Sequence, residues 1–401
     1  MAQSSTGLIC LGEAANFGDD LIMIAGVAAI AAGHDDVEVR YLSFGHPVNW
    51  GEISTRLGLR LDPRPVRYQR ELPGSRRSEL AFGDCDALLV GGGGLFQTSH
   101  HPHTPYLWLS YLPRHLPAVP VLGVGLGLGP LSDDWSRRLR RLGSPFDECY
   151  LRDGDSVALA EERLGWRVRR CRDFVDHTFL RQLGIEAPRG TGGSGQLGVA
   201  LRRWPGLEVG PTVRHIARIA ESSGTDTIRV FVLEAGAHGP DVSFSEQVGR
   251  GLGRDAEVVP YRGSDLVAFA DAMARCTVAV SMKLHSSALW GALGVPIFPI
   301  SYAPKTAAFF GQPFRGLTVY DRILPPAVEP EAVPRAADVV GPWIGRALAG
   351  AVRPARAVLP RAERLRLQTS STAINVYRQL GRGLKERGHA RGAVSAMLPP
   401  H

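Results

Sequence analysis

Short apolar segments, each followed by a loop and a helical pattern, constrain the fold of this chain more than any other feature. Residues 8–11, 87–90, 119–124 and 277–281 are each long enough for one buried strand and too short for a typical helix. The alternation of such strands with helices indicates parallel sheets. A glycine-rich stretch within residues 185–197 interrupts the pattern, which then restarts. A chain of 401 residues is long enough for two domains, each with its own core.

We therefore predict an α/β fold in which two Rossmann-like domains face each other across a cleft. The predicted first domain covers residues 1–187, and the second covers residues 196–335. Residues 336–401 form a predicted C-terminal helical segment with a basic tail, which either returns to the first domain or contacts anionic lipid. Ligands of open α/β sheets bind at the carboxyl ends of the strands, so a site is expected in the cleft.

Composition excludes several other classes of protein. The net charge of +7 is modest, and no dense basic block is interleaved with aromatic residues, so nucleic acid is not an expected partner. The five cysteines are scattered without metal-ligand spacing, which predicts buried thiols in a reducing cytoplasm and no metal site. The longest apolar stretch, residues 21–33, is too short to span a membrane, and no secretory signal is seen. We predict a cytoplasmic protein, while peripheral contact with a membrane or a lipid-linked acceptor stays open.

Lysine is rare in this chain, and its placement is informative. Only three lysines occur against 43 arginines, and two of them, Lys283 and Lys305, lie in one segment around His285. Lysine is a compact, titratable point charge, whereas arginine is a permanently protonated fork. Lys283 and His285 directly follow a predicted strand and open a predicted helix, and helix N-termini attract anions. A basic pair at this position predicts an anionic substrate.

Two glycine-rich segments follow or overlap predicted strands. Gly91 to Gly94 could form an anion-binding nest, or could be a tight turn packed under a helix, and the sequence favours neither reading. It is neither a Walker A loop nor a dinucleotide fingerprint. A second set of glycines alternates with apolar residues, which predicts that they line one face of a strand beside a helix: Gly123, Gly125, Gly127 and Gly129. This structural role is favoured for all of them except Gly129.

Two further loops carry polar residues at the starts of predicted helices. Asp19 or Asp20 is expected to cap the first helix, with an additional role at the cleft left open. Arg152 ends a predicted strand and either pairs with Asp153 or clamps a carboxylate or phosphate of a ligand. One of residues 155–156 is expected to cap the helix that follows.

Taken together and in this order, these segments resemble the polysaccharide pyruvyltransferase family. The resemblance covers roughly residues 8–312. The residues that carry it are 16–20, 91–97, Arg152 with Ser156, 198–202 with Trp204, Lys283-Leu284-His285, and 295–296 leading to Ser301, Tyr302 and Lys305.

The resemblance implies a GT-B-like pair of Rossmann-type domains and a phosphoenolpyruvate-dependent reaction. Members transfer the pyruvyl unit to two hydroxyls of a sugar or glycan, with phosphoenolpyruvate as co-substrate and no further cofactor. The first domain would hold the acceptor and the second the phosphoenolpyruvate. Carried over, His285 is the expected acid/base catalyst. The expected substrate-binding residues are Arg152, Lys283, Leu284, Gly92, Gly93, Gly94, Gln97, Asn16, Gly18, Asp19 and Lys305, of which Lys305 is expected to make a weaker or acceptor contact.

One departure from the family pattern keeps two alternatives open. The family usually has Arg-Leu-His where this chain has Lys283-Leu284-His285, which removes a bidentate fork and leaves room for an altered donor. The first alternative is a GT-B glycosyltransferase that uses a nucleotide sugar. The second is a non-catalytic descendant that acts as a binding module. The acceptor sugar, the regiochemistry of the ketal and the oligomeric state are not predicted from the sequence.

Overall fold

The structure is a computed structural model, and it describes most of the chain. The described residues are 4–34, 36–67, 82–98, 104–111, 119–187, 195–234, 240–253, 256–327, 332–352 and 354. Most of the predicted linker and the whole predicted basic tail lie outside the described residues.

The first sheet has seven strands, all parallel, in the spatial order β3-β2-β1-β4-β5-β6-β7. The strands are β1 (Ser5–Gly12), β2 (Glu38–Ser43), β3 (Arg64–Arg67), β4 (Ala87–Phe96), β5 (Val121–Leu128), β6 (Glu148–Leu151) and β7 (Arg169–Arg170). The central strands β1, β4 and β5 are buried along nearly their whole length, as apolar runs predict for a parallel sheet covered by helices. The carboxyl ends of all seven strands therefore share one edge.

Helices cover the first sheet. They are α1 (Phe17–Gly33), α2 (Trp50–Leu57), α3 (Thr104–Tyr111), α4 (Asp133–Leu142), α5 (Gly154–Ala158), which continues into a π-helical turn (Leu159–Leu164), and α6 (His177–Gln182). The π-helical turn ends at Gly165, whose φ of 67° suits a glycine cap.

The second sheet has six strands in the order β10-β9-β8-β11-β12-β13, of which only β13 is antiparallel to its neighbour. The strands are β8 (Gly195–Ala200), β9 (Thr225–Val232), β10 (Ala256–Pro260), β11 (Val278–Ser281), β12 (Ile297–Ser301) and β13 (Thr318–Val319). The helices that follow them are α7 (Val209–Ser222), α8 (Pro240–Leu252), α9 (Leu266–Ala274), α10 (Leu284–Ala292) and α11 (Pro304–Phe309). Two Rossmann-like parallel sheets confirm the predicted α/β class, while the domain boundaries stay a prediction.

The last described helix, α12 (Ala336–Leu348), returns to the first sheet. It packs on α1 and reaches β4 and β5. Its ends are fixed there by ion pairs, from Arg335 Nε to Asp176 Oδ2 at 2.6 Å and from Arg346 Nη2 to Glu148 Oε1 at 2.7 Å. Because α1 packs against both the sheet and this helix, it is apolar and buried around most of its circumference.

The alternating glycines of β5 do not line one face, so that prediction was wrong. Gly123 lies against the ring of Phe146, whereas Gly125 lies against the ring of Phe174, and the two rings belong to different hydrophobic clusters. The strand changes register between Val124 and Leu126, and Gly125 has a φ of 65°. Because of this irregularity, residues two apart in β5 no longer lie on the same face of the sheet.

Two other sequence-based expectations concern cysteines and membranes. All five cysteines are free and buried, which confirms the prediction of buried thiols. Within the described ranges, no helix has the length and apolar character needed to cross a bilayer.

Candidate functional site

The start of α1 is held by a different set of hydrogen bonds from the predicted one. Asn16 is the N-cap and accepts from the Gly18 amide at 3.2 Å, so the expectation of Asp19 or Asp20 as cap was wrong. Asp20 is fully buried and instead accepts from the Ala14 amide at 3.0 Å and the Tyr261 hydroxyl at 2.8 Å. Asp19 is left half-buried at the cleft.

The first turn of α1 inserts into the second domain. The Phe17 amide donates to the Leu233 carbonyl at 2.9 Å. The Phe17 ring packs on Phe269 and Tyr261, with centroids 4.9 Å and 5.5 Å away. Together with the Asp20–Tyr261 hydrogen bond, these contacts bring the carboxyl edges of the two sheets together.

His285 lies at this junction. It is the second residue of α10 and is half-buried. Its imidazole lies against Gly18 so closely that a Cβ on Gly18 would overlap His285 Nδ1. Burial lowers the pKa of His285 well below its usual value, and the positive charges of Arg152, Lys305 and Lys283 lower it further. The imidazole is therefore neutral before a ligand binds, and its neighbours are cations.

Arg152 enters the site from the carboxyl end of β6. It is 8% exposed and pairs through Nη1 with Asp173 Oδ2 at 2.8 Å, while its Nε lies 3.7 Å from Asp153 Oδ2. The guanidinium also lies against Gly127, where a Cβ would be 2.9 Å from Arg152 Nη2. Gly127 therefore makes room for a site residue, which differs from the predicted helix-packing role.

The helix after Arg152 begins earlier than expected. Asp153 is the N-cap of α5 and accepts from the Ser156 amide at 2.7 Å, so the prediction of a cap within residues 155–156 was wrong. Ser156 is buried, and its hydroxyl accepts from the Leu128 amide at 2.8 Å. These bonds fix the turn that carries Arg152 to the end of β5.

Lys283 is a buried cation with two carboxylate partners. The residue is the N-cap of α10 and is 7% exposed. Nζ lies 2.7 Å from Asp241 Oδ2 and 3.1 Å from Glu234 Oε1. Burial opposes the charged form, but Glu234 and Asp241 outweigh it and raise the pKa of Lys283. Its charge is thus neutralised within the protein.

Lys305 and Arg202 differ from Lys283 in this respect. Within the described part of the chain, no carboxylate oxygen lies within 4 Å of either cation. Lys305 is exposed at the cleft. Loss of hydration nevertheless lowers the pKa of its ammonium group, and the positive charges of Arg152 and Arg202 lower it further. Asp19 and Tyr302 act in the opposite direction. The unneutralised positive charge of the cleft therefore lies on Lys305 and Arg202.

Asp19 is a carboxyl group of the cleft whose pKa is raised toward neutrality. Its Oδ1 lies 3.8 Å from the point where a Cβ of Gly93 would be. Burial raises the pKa of Asp19 to about 7 in spite of the opposing charges of Lys305, Lys283 and Arg152, and Glu234 raises it further. A carboxyl group of this pKa exchanges a proton near neutral pH.

The glycines before Gln97 are part of β4 and do not form a loop. Gly92 and Gly93 have φ values of 76° and 77°, and a Cβ on Gly92 would overlap Ile22 of α1. A Cβ on Gly94 would meet no described atom within 4 Å, so this residue borders open space. Gln97 is buried just after the strand. Packing under a helix therefore holds for Gly92, whereas Gly93 lies beside Asp19 and Gly94 borders open space.

The remaining predicted contacts are placed near this junction as well. Asn16 forms an isolated bridge with Glu234, and Leu284 is half-buried beside His285 at the start of α10. Three acidic residues and one arginine were not predicted: Asp173, Glu234, Asp241 and Arg202. Each except Asp241 follows the end of a strand, which is the signal that could have identified them. Within the described ranges, no group of three His, Cys, Asp or Glu side chains could hold a metal ion.

Comparison with solved structures shows the fold. A co-structure of S. aureus MnaA with UDP superimposes with a TM-score of 0.53 at 11% identity, covering 91% of this chain and 94% of that chain. A UDP-GlcNAc 2-epimerase from Neisseria meningitidis bound to UDP-GlcNAc gives a TM-score of 0.53 at 11% identity, covering 94% of this chain and all of that chain. These similarities confirm the GT-B-like arrangement of two Rossmann-like domains.

Comparison by sequence shows the family. A search of curated proteins gives no significant match. A family model described as polysaccharide pyruvyl transferase matches residues 16–304, which is more than half of the chain and includes Arg152, Lys283 and His285. The predicted resemblance is therefore confirmed, and the chain belongs to the polysaccharide pyruvyl transferase family.

Proposed function

We propose that this protein transfers the pyruvyl group of phosphoenolpyruvate to two hydroxyls of a sugar or glycan acceptor, forming a ketal and releasing phosphate. The observation that carries the proposal is Lys305, a cation with no carboxylate within 4 Å among the described residues, in electrostatic contact with His285, Arg152 and Asp19. Family membership supports the reaction class. Phosphoenolpyruvate supplies the negative charge that this cluster lacks.

The donor is expected to bind between Lys305, Arg152 and the start of α10. Lys305 offers an ammonium to the phosphate, and the first-turn amides of α10 face the same region without a side-chain cap from Lys283. Arg152 is oriented by Asp173 and Asp153 and has further N–H groups for the carboxylate. In this proposal Lys283 positions α10, because its charge is already neutralised by two carboxylates.

The reaction requires two protons to leave the acceptor and two to be delivered. One proton goes to C3 of phosphoenolpyruvate, which becomes the methyl group, and the first acceptor oxygen bonds to C2. The C2–O bond to phosphate then breaks, and the second acceptor oxygen bonds to C2 to close the ketal. The second delivered proton leaves with the phosphate, so charge and atoms balance.

Asp19 and His285 have complementary properties for these transfers. Protonated Asp19 can give its proton to C3, and neutral His285 can accept the proton of the first hydroxyl. The imidazolium then protonates the departing phosphate, while the Asp19 carboxylate accepts the proton of the second hydroxyl. Both side chains return to their starting states after one turnover.

The pH profile tests the role of Asp19. Because its pKa is raised to about 7, the protonated acid is lost above that pH. We expect kcat/KM for phosphoenolpyruvate to fall about ten-fold per pH unit above about pH 7, since this parameter reports the free enzyme. Asp19→Asn should lower the rate about 100-fold and remove this alkaline limb. Asp36→Asn at an exposed position is the control and should leave the profile unchanged. An unchanged alkaline limb in Asp19→Asn would assign the acid to another group.

The two lysines should respond differently to removal of charge. Lys305→Met should raise the KM for phosphoenolpyruvate about 10–100-fold and change the free energy of unfolding by less than about 0.5 kcal/mol. Lys283→Met leaves Glu234 and Asp241 without their cation and should lower the free energy of unfolding by about 2–4 kcal/mol. Phosphate-release kinetics and urea unfolding measure the two effects. If Lys283→Met raised the KM and Lys305→Met lowered the free energy of unfolding, Lys283 would be the residue that contacts the anionic donor.

The function itself is tested by turnover and binding. The protein is incubated with phosphoenolpyruvate and a panel of free, nucleotide-linked and lipid-linked sugars, and phosphate release is followed together with the new methyl signal of the ketal by NMR. Phosphate release that depends on an acceptor, with a ketal methyl signal, supports the proposal. Calorimetric binding of a nucleotide sugar without binding of phosphoenolpyruvate would favour a glycosyltransferase. A folded protein that binds sugars but turns over none of the pairs would indicate a binding module.

A further inference from the structure

A cluster of one arginine and two aromatic rings lies beside the proposed donor site. Arg202 and Trp204 follow β8, and Tyr302 follows β12. These two strands flank β11, whose carboxyl end leads into Lys283 and His285. We call Arg202, Trp204 and Tyr302 the aromatic–arginine cluster.

The guanidinium of this cluster lies near both aromatic rings. The Arg202 Cζ atom lies 6.0 Å from the centroid of the Trp204 ring and 5.9 Å from that of Tyr302. The two rings meet edge to face, with centroids 4.7 Å apart. Tyr302 is buried, whereas Arg202 and Trp204 are half-exposed. Arg202 also forms a side-chain hydrogen bond with Tyr302, which leaves the other N–H groups of the guanidinium for an oxyanion.

No acidic side chain neutralises Arg202. Among the described residues, no carboxylate oxygen lies within 4 Å of its guanidinium, and the nearest acidic influences, Glu234 and Asp241, are paired with Lys283. In the proposed donor complex, Lys305 and Arg152 meet the phosphate and carboxylate of phosphoenolpyruvate. A second cation, half-buried and without a carboxylate partner in the described part of the chain, is left over beside the donor.

We propose that Arg202, Trp204 and Tyr302 form a second anion subsite, which binds the diphosphate of an acceptor sugar presented as a glycosyl diphosphate. The proposal rests on the proposed function, since it assigns the acceptor of that reaction. The diphosphate lies on the edge of Arg202, and the half-exposed ring of Trp204 provides a flat surface on which the sugar ring stacks. The sugar hydroxyls then reach the donor from the side of Tyr302, three residues before Lys305.

Binding to the unmodified chain tests the subsite without turnover. Calorimetry measures the affinity of the chain for a UDP-sugar, for a short polyprenyl-diphosphate sugar and for the free sugar. The comparison distinguishes binding of the diphosphate from binding of the uridine or of the polyprenyl chain. We expect both diphosphates to bind and the free sugar to bind at least about ten-fold more weakly. If only one of the two glycosyl diphosphates binds, the result identifies the natural form of the acceptor and still supports the diphosphate subsite. Arg202→Met should weaken diphosphate binding about ten-fold or more, and Trp204→Leu should weaken it less.

Arg203→Met is the matched control. Arg203 is the next residue, but its guanidinium lies over Phe244, 5.5 Å from the ring centroid, and donates to the Leu207 carbonyl. This variant should bind glycosyl diphosphates as the unmodified chain does, and thermal unfolding checks that all three variants are folded.

Kinetics separate this inference from the proposed function. Arg202→Met should raise the KM of the diphosphate-linked acceptor and change the KM of phosphoenolpyruvate by less than about two-fold. Equal losses for diphosphate-linked and free sugars, or a loss confined to phosphoenolpyruvate, would overturn the subsite. Arg202-dependent binding of glycosyl diphosphates without any phosphate release from phosphoenolpyruvate would instead overturn the reaction and leave the subsite standing.

Discussion

Replacement of His285 by glutamine should lower phosphate release from phosphoenolpyruvate by about 1,000-fold. Glutamine has a similar length and can form hydrogen bonds, but it cannot accept the proton of an acceptor hydroxyl or protonate the departing phosphate. His285 is the one histidine in electrostatic contact with Arg152, Lys283 and Lys305 among the described residues. The loss should appear mainly in kcat, because cations bind the donor and the imidazole acts on protons.

His177→Gln is the control for this experiment. His177 is an exposed residue at the start of α6, and we expect its replacement to leave turnover unchanged. Calorimetry should show that His285→Gln still binds phosphoenolpyruvate within about ten-fold of the unmodified chain. If His285→Gln retained more than about a tenth of the activity, the proton transfers would have to be assigned to another group.

Local sequence was sufficient to predict the class of fold. The predicted strands are short apolar runs, each followed by a helix. Examples are residues 8–11 within β1 and residues 277–281 around β11. Binary patterning and turn chemistry act over a few residues, so they can be read without the rest of the chain. The same information placed Arg152 and His285 at the carboxyl edges of two different sheets.

Pairing between residues far apart in the chain was not predictable in the same way. The partners of Lys283 are Glu234 and Asp241, and the hydrogen-bond partner of Asp20 is Tyr261, all more than forty residues away. Nothing in the spacing of one motif fixes which distant carboxylate it meets. For this reason the sequence indicated Asp19 or Asp20 as a helix cap with a further role left open, whereas the fold uses Asp20 to join two domains.

The distant partners of Lys283 change the interpretation of this departure from the family pattern. Lys283 was first interpreted as an anion clamp, but the buried Asp241 and the half-exposed Glu234 neutralise it, and Lys305 has no such partner among the described residues. A lysine ammonium can meet two carboxylates in this small space without presenting a fork to the ligand. We therefore infer that the departure affects how α10 is held more directly than it affects which donor binds.

Replacement of Gly18 by alanine should disrupt both the fold and the site. Alanine normally favours a helix over glycine by about 1 kcal/mol. Here its Cβ would overlap the imidazole of His285, while the neighbouring Phe17 amide is bonded to Leu233 and cannot withdraw freely. Either His285 must leave its position or α1 must leave the second domain. We expect a loss of about 1–3 kcal/mol in the free energy of unfolding and about 100-fold in turnover.

Gly51→Ala is the matched control, since Gly51 is also the second residue of a helix, α2. It is exposed, and its Cβ would meet only Asn49 Oδ1, at 3.6 Å. This change should be neutral or slightly stabilising in urea unfolding. The double variant Gly18→Ala/His285→Ala should recover most of the stability lost by Gly18→Ala, because the imidazole is the group that the new methyl meets. A Gly18→Ala protein with normal stability and turnover would contradict the packing of His285 against α1, and with it the placement of the proposed catalytic imidazole at the junction of the two domains.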